Sequence, residues 1–161
     1  MDFTAYHAEA KQTAIYAADQ AFAYLIPAAA DEAFEAMDAP RGSEEEADEW
    51  GDCLWTSVML RAALDLPLTI EPFANGCHIP DHFEEPARAL LHLWTKIARD
   101  RGGIPDARDQ ARIEEATAKI IRLVAYLAGR RGLTTEQLAA ANLLKLAGRK
   151  QRGTLAGSGT R

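Results

Sequence analysis

Apolar and polar residues recur with a helical period along most of the chain, and proline and glycine divide this pattern into segments. Spaced apolar positions with Thr4 as a candidate N-cap predict a first helix over about residues 4–20. Pro27 suits the first turn of a second helix, which should end before Pro40. The first forty residues therefore predict two helices.

The remaining pattern predicts three or four further helices. Ser43 and Glu46 form a capping box for a third helix that runs to about Leu64. Residues 65–82 contain three prolines and one glycine, which exclude a continuous helix. The later helices are bounded by cap and stop residues: Asp81 and Glu84 to Arg101 and Gly102, about Asp106 to Arg131 and Gly132, and Thr134 and Gln137 to roughly Lys150. No segment has the alternation of a strand, so we predict an all-α fold of five or six helices.

Length and composition indicate one globular domain. The chain has 161 residues, of which 48% are hydrophobic and 26% charged. We assign the domain to residues 1–152, with an extra helical segment at about 65–121 and a flexible Gly- and Ser-rich tail at 153–161. A net charge of −6 argues against nucleic acid as a partner. No signal peptide, membrane span or disulfide framework is apparent, so we expect a soluble, cytoplasmic protein.

The acidic stretch at residues 28–52 contains the candidate chemistry, with ten acidic side chains against one base. Its patterns are Glu32-x-x-Glu35 and Glu49-x-x-Asp52, and a spacing of three puts both members of a pair on one helix face. Four carboxylates favour Mg²⁺, or Mn²⁺, over softer metals. A di-iron centre would need Glu-x-x-His pairs, and none of the four histidines has a glutamate three residues before it. The alternative for any acidic run is a solvated helix face.

Other residues allow two interpretations each. Trp50 and Trp55 are better explained as core residues than as a surface that stacks on a base. The basic cluster of Lys145, Arg149, Lys150 and Arg152 either complements a helix macrodipole or binds phosphate. A zinc site built from Cys53, Cys77, His78 and His82 is a weaker hypothesis, because Pro80 interrupts its spacing.

Four motifs in order, DEAFE, EWGDCLW, ANLLKLAGRKQRG and the tail GSGTR, resemble those of the MazG-like all-α nucleoside triphosphate pyrophosphohydrolases. The stretch FTAYHAEAKQTAIY resembles the N-terminal helix of that family. The resemblance covers about residues 1–64 and 122–161. The chain departs from the family pattern at Asp31, where a further glutamate is common, and in the roughly seventy residues between the second and third motifs.

The intervening segment suggests a duplicated helical pair. ARIEEATAKIIRLVAYLAGRRGL stands where a second Glu-x-x-Asp helix would precede Asn142, with Ala116 and Lys119 at the acidic positions. The dimeric dUTPases of the same superfamily have a comparable internal arrangement. We therefore expect the bundle to be completed by fewer subunits than in the compact members, as a homodimer or homotetramer.

The resemblance implies hydrolysis of a nucleoside triphosphate between its α- and β-phosphates, which removes a non-standard or surplus nucleotide. Glu32, Glu35, Glu49 and Asp52 would bind two Mg²⁺ ions about 3.5–4 Å apart, and one glutamate would activate the water. Lys145, with Arg149 or Arg152, would offset phosphate charge, and Asn142 would bond sugar or phosphate. The alternative is a helical module that binds nucleotide, or mediates oligomerisation, without hydrolysis.

Overall fold

Six α-helices form the fold of the computed structural model, which describes residues 1–74 and 82–155. They are α1 (Thr4–Ala10), α2 (Ala21–Asp38), α3 (Glu44–Ala63), α4 (Glu84–Arg101), α5 (Ala107–Arg130) and α6 (Thr135–Gln151). Within the described ranges, extended pairing is limited to an isolated antiparallel bridge between Asp2 and Thr69. The predicted all-α class is confirmed.

Helices α2 to α5 form a four-helix core. Helix α2 packs mainly against α3 and α4, and α5 packs against the same two helices, so the four close on one another within one chain. Helix α6 lies against α3, and α1 contacts both. Helix α3 therefore contacts α2 and α5 within the core and also both terminal helices, α1 and α6. The oligomeric state stays a prediction.

Helix α4 and the first half of α5 come from the extra helical segment that was predicted at about residues 65–121. Helices α4 and α5 both pack within the bundle, as the hypothesis of a duplicated pair requires. Ala116 is buried on α5, and Lys119 forms ion pairs with Glu85 and Glu115. These positions thus support packing and an ion-pair network between α4 and α5.

The N-terminal region differs from the single helix predicted over about residues 4–20. Helix α1 ends at Ala10, and two 3₁₀ turns follow, at Lys11–Thr13 and Ala18–Gln20. Thr13 Oγ1 donates a hydrogen bond to the Ala10 carbonyl at 2.7 Å and accepts one from Trp55 Nε1 at 3.3 Å. This side chain competes with the helix backbone for its partners, so the helix stops.

The predicted N-cap of the first helix and the predicted start of the second helix were also wrong. The N-cap of α1 is Phe3, and Asp2 Oδ1 accepts hydrogen bonds from both the backbone N–H and Oγ1 of Thr4. Helix α2 begins at Ala21, so Pro27 lies inside it. Apolar residues before the proline are buried on the core face of α2, and tertiary packing overrides the local preference of proline for a first turn.

The other predicted boundaries agree closely with the structure. Ser43 Oγ caps α3 by accepting from the Glu46 N–H, although the Glu46 carboxylate accepts from Gly42 N–H and leaves the box incomplete. Thr134 and Gln137 form both bonds of the box that opens α6. The helix stops at Gly102 and Gly132 are confirmed, with φ of +60° and +73°. Asp81 lies outside the described residues, and the N-cap of α4 is Phe83.

Arg61 joins α3 to the loop after it and to α5. Its side chain is 3% exposed. Nε donates to the Pro67 carbonyl at 2.8 Å, and Nη1 donates to the Glu114 carbonyl at 3.0 Å and to Thr117 Oγ1 at 3.2 Å. The buried guanidinium therefore satisfies buried polar groups on two elements.

Replacing Arg61 by Met should lower the free energy of unfolding by about 3 kcal/mol, because the carbonyls of Pro67 and Glu114 lose their donor inside the protein. Chemical denaturation measures this loss. The matched control is Arg88→Met, which removes an exposed ion pair with Glu84 and should change stability by no more than about 0.5 kcal/mol. Equal effects of the two substitutions would contradict the structural role of Arg61.

Candidate metal centre

Helices α2 and α3 bring three of the four predicted carboxylates together. Glu32, Glu49 and Asp52 each offer one oxygen, and these oxygens all lie within 4.8 Å of one another. All three residues are partly exposed. Among the described residues this is the only group of three or more His, Cys, Asp or Glu side chains with metal-ligand spacing. We call Glu32, Glu49 and Asp52 the carboxylate group.

Glu35 lies one turn beyond Glu32 on α2 and is exposed. It is not a member of the carboxylate group. Its charge is nevertheless close enough to contribute to the raised pKa of Glu32. The role of Glu35 as a fourth ligand stays a prediction.

The environment of Glu32 disfavours its ionised form. Burial raises the pKa of Glu32 to about 8, with further contributions from the charges of Asp52, Glu35 and Glu49 and an opposing one from Lys145. Without a bound cation this carboxyl group is therefore largely protonated at neutral pH. A cation that binds the group would displace that proton, so its affinity should rise with pH.

Helix α6 supplies two side chains to Asp52. Asn142 Nδ2 donates to Asp52 Oδ1 at 2.7 Å, and Lys145 Nζ lies 2.5 Å from Oδ2. The four residues of the two motifs Glu49-x-x-Asp52 and Asn142-x-x-Lys145 thus meet across the α3–α6 interface at Asp52. Lys145 is 26% exposed and can still face a ligand.

Asn142, which was predicted to bind substrate, is buried and hydrogen-bonded to protein groups. It is 3% exposed, and Tyr6 Oη donates to its Oδ1 at 2.9 Å. Both ends of the amide are engaged by protein groups, so Asn142 holds Asp52 in this structure. Direct contact with sugar or phosphate stays a prediction.

Gly51 makes room for Asn142. A Cβ atom at position 51 would lie 3.1 Å from Asn142 Cβ and 3.3 Å from Nδ2. Even the Cβ of alanine would require Asn142 to shift at the point where it reaches Asp52. Helices α3 and α6 therefore approach each other closely at this glycine.

The two predicted arginines lie further along α6 and beyond it. Arg149 is partly exposed and lies near Tyr24, whose pKa it lowers against the larger effects of burial and of Glu32. Arg152 follows α6 and is exposed, and its Nη1 lies 3.2 Å from the place that a Cβ at Gly148 would take. Their binding of phosphate stays a prediction.

Two tyrosines beside the carboxylate group were missed by the sequence analysis. The rings of Tyr16 and Tyr24 stack with centroids 5.1 Å apart and an angle of 29°, and Tyr16 packs edge-on against Trp55 at 6.4 Å. Tyr24 is 38% exposed and lies eight residues, or about two turns, before Glu32 on α2. That spacing could have indicated that Tyr24 lies on the same helix face as Glu32. Tyr16 has no such signal, because it contacts Tyr24 from the segment after the end of α1.

The predictions for the tryptophans and the cysteines can be compared with the structure in part. Trp50 and Trp55 are 1% and 8% exposed, which confirms that they are core residues. Cys53 is fully buried, and its thiol pKa is raised by burial and by the neighbouring carboxylates. Cys77 and His78 lie outside the described residues, so the zinc hypothesis stays untested.

Comparisons with protein families, curated proteins and solved structures found no match to this chain. The MazG-like resemblance therefore stays a prediction. No helix in the described ranges combines the length and apolar character needed to cross a bilayer.

The metal-free protein should lose stability as the pH rises. Because the folded pKa of Glu32 is about 8 and its ordinary value is 4.5, the folded state binds more protons between these values. The stabilising contribution is complete below about pH 4.5 and is lost as the pH passes through about 8, with a slope of up to about 1.4 kcal/mol per pH unit. Denaturation in EDTA at several pH values measures this slope.

Glu32→Gln should flatten the dependence, because glutamine cannot ionise. Glu45→Gln on the exposed first turn of α3 is the matched control and should leave the slope unchanged. If the wild-type protein and Glu32→Gln had the same slope, the crowding of charge at Glu32 would be refuted.

Proposed function

We propose that the protein is a metal-dependent nucleoside triphosphate pyrophosphohydrolase, which converts a (d)NTP to the monophosphate and pyrophosphate. The observation that carries the proposal is the carboxylate group with Lys145 at its side. Clustered carboxylates suit a divalent cation, and a lysine beside them suits an anion that arrives with the cation. The order of the acidic pairs and the Asn-x-x-Lys helix, which resembles the MazG-like pattern, supports the same reaction.

The donor set fits Mg²⁺, and also Mn²⁺. Its oxygens are hard ligands on partly exposed residues. Burial, and after it the neighbouring carboxylate charges, raise the pKa of Glu32, and a cation bound between these groups would offset their repulsion. Glu32, Glu49 and Asp52 would hold the metal. When bound, Mg²⁺ would polarise phosphoryl oxygens and lower the pKa of water.

Residues around the carboxylate group would have separate roles. Lys145 would turn from Asp52 toward a phosphate oxygen as the metal takes over its charge. Glu35 lies beside the group without joining it, a position that suits the residue that accepts a proton from the attacking water. Asn142 would keep Asp52 in place throughout.

The stacked tyrosines support a nucleotide over other phosphate compounds. Tyr24 is partly exposed, and the charges of Glu32 and Arg149 both lie close enough to affect its pKa. A nucleobase could stack there while its phosphates lie at the carboxylate group, and Arg149 would contact the phosphate or the sugar. The aromatic pair thus supplies a place for the base that carboxylates alone do not.

The direct test is incubation of the purified protein with a panel of standard and modified NTPs and dNTPs, with Mg²⁺ or with EDTA. Release of pyrophosphate that depends on Mg²⁺ is the expected result, and the preferred nucleotide identifies the substrate. Release of orthophosphate would keep the metal centre but refute the position of cleavage. Folded protein that binds nucleotide without any release would favour the binding module, for which Lys145 already neutralising Asp52 is the supporting observation.

Removing carboxylates of the group should abolish turnover with the fold retained. Glu49→Gln and Asp52→Asn should each lower kcat/KM by about a hundredfold or more, because each loses a negative ligand that stabilises the metal and the transition state. Glu45→Gln has the same change of charge on the exposed start of α3 and should retain activity. Unchanged turnover in both site variants would refute this active site.

Loss of the Tyr24 ring from the stacked pair of Tyr16 and Tyr24 should weaken substrate binding. Tyr24→Ala should raise KM by about tenfold with a smaller effect on kcat, because a stacking surface contributes about 1–3 kcal/mol. Tyr24→Phe retains the ring and should resemble the wild type. An equal rise in KM for both variants would mean that the hydroxyl, and not stacking, matters.

A further inference from the structure

A hydrogen-bonded chain connects the N-terminal helix to the carboxylate group. Tyr6 on α1 is 7% exposed, and its Oη donates to Asn142 Oδ1 at 2.9 Å. Asn142 Nδ2 donates in turn to Asp52 Oδ1 at 2.7 Å. The chain joins three helices and residues that are up to 136 positions apart in sequence.

The carboxylate of Asp52 fixes the donor and acceptor of each hydrogen bond in this series. An ionised carboxylate only accepts hydrogen bonds, so Asn142 must present its NH₂ to Asp52 and its oxygen to Tyr6. Tyr6 must then donate. Burial and the charge of Asp52 raise the pKa of Tyr6, so its hydroxyl keeps the proton that it donates.

The amide has little freedom once Tyr6 is in place. Gly51 lies against Asn142 with no side chain between the helices, and the amide is almost fully buried. Without the hydroxyl of Tyr6, Oδ1 would lose its donor in the interior, and rotation of the amide would turn an oxygen toward the carboxylate. Asp52 would then be held less firmly from that side.

We propose that Tyr6 is a positioning residue of the metal centre, which fixes the amide of Asn142 and through it the carboxylate of Asp52. This inference rests on the proposed function, because it treats Asp52 as a ligand. Groups that orient a metal ligand through hydrogen bonds commonly change metal affinity by about 10–100-fold when they are removed. Tyr6 would have this effect from a helix outside the four-helix core.

The test measures Mn²⁺ binding to the full-length protein by titration calorimetry, together with thermal unfolding and turnover. The variants are Tyr6→Phe, Asn142→Ala and the double variant. Tyr126→Phe is the matched control, because it removes a hydroxyl from α5, a helix that carries no member of the carboxylate group and neither Tyr6 nor Asn142.

We expect Tyr6→Phe to weaken Mn²⁺ binding by about tenfold and Tyr126→Phe to leave it unchanged. The double variant should bind Mn²⁺ no more weakly than Asn142→Ala alone, because Tyr6 acts through that amide. Side-chain NH₂ protons of Asn142 should also exchange faster with solvent in Tyr6→Phe, as measured by NMR.

Wild-type affinity in Tyr6→Phe, even with lowered thermal stability, would overturn the inference, since a merely structural role predicts that result. Independent effects in the double variant would overturn it as well. If Mn²⁺ binding depends on Tyr6 but no nucleotide is hydrolysed, the pyrophosphohydrolase function fails and the positioning role stands. A wild-type protein that binds no Mn²⁺ refutes both.

Discussion

Like charges that the fold holds close together are the constraint on which the rest of this structure depends. Glu32 and the pair Glu49 and Asp52 come from two helices whose packing leaves their oxygens within 4.8 Å of one another. Such a group is unfavourable unless protons, cations or hydrogen-bond donors compensate it. Each kind of compensation has its place here: a proton favoured on Glu32, a lysine against Asp52 and an amide beside that lysine. Two side chains of α6, Asn142 and Lys145, meet this need at Asp52 on α3.

Both a glycine and polar side chains connect the terminal helices α1 and α6 to the carboxylate group. Gly51 permits α6 to approach α3, and only at that distance can the short side chain of Asn142 reach Asp52. The same amide then requires a donor for its oxygen, which Tyr6 supplies from α1. The order of these dependencies explains why a glycine in the middle of a helix, normally unfavourable by about 1 kcal/mol, is tolerated at this position. The close packing of α3 and α6 thus allows a hydrogen-bond donor to reach the charge of Asp52.

The sequence was sufficient for most boundaries of the helices after Pro40 and for three of the four carboxylates, because cap residues and a spacing of three are local signals. It was insufficient where tertiary contacts decide. Trp55 binds Thr13 across forty-two positions and helps to end the first helix, and the burial of apolar residues before Pro27 extends the second. The contacts of Tyr16 and Asn142 with other helices were not predicted for the same reason. Their roles depend on which helices meet, and periodicity does not record that.

The division between the core and the outer helices has a consequence for the site itself. Glu32, Glu49 and Asp52 lie on α2 and α3, two helices of a core that closes within one chain, whereas Lys145 and Asn142 lie on α6 outside it. Asp52 is where the two parts meet, and Lys145 and a metal would compete for its charge. Asn142 does not compete, because it is neutral and binds the other oxygen. If a metal binds here as we propose, the amide would keep the carboxylate in position while the metal displaces Lys145, and the displaced lysine would lie beside an anionic ligand of the metal.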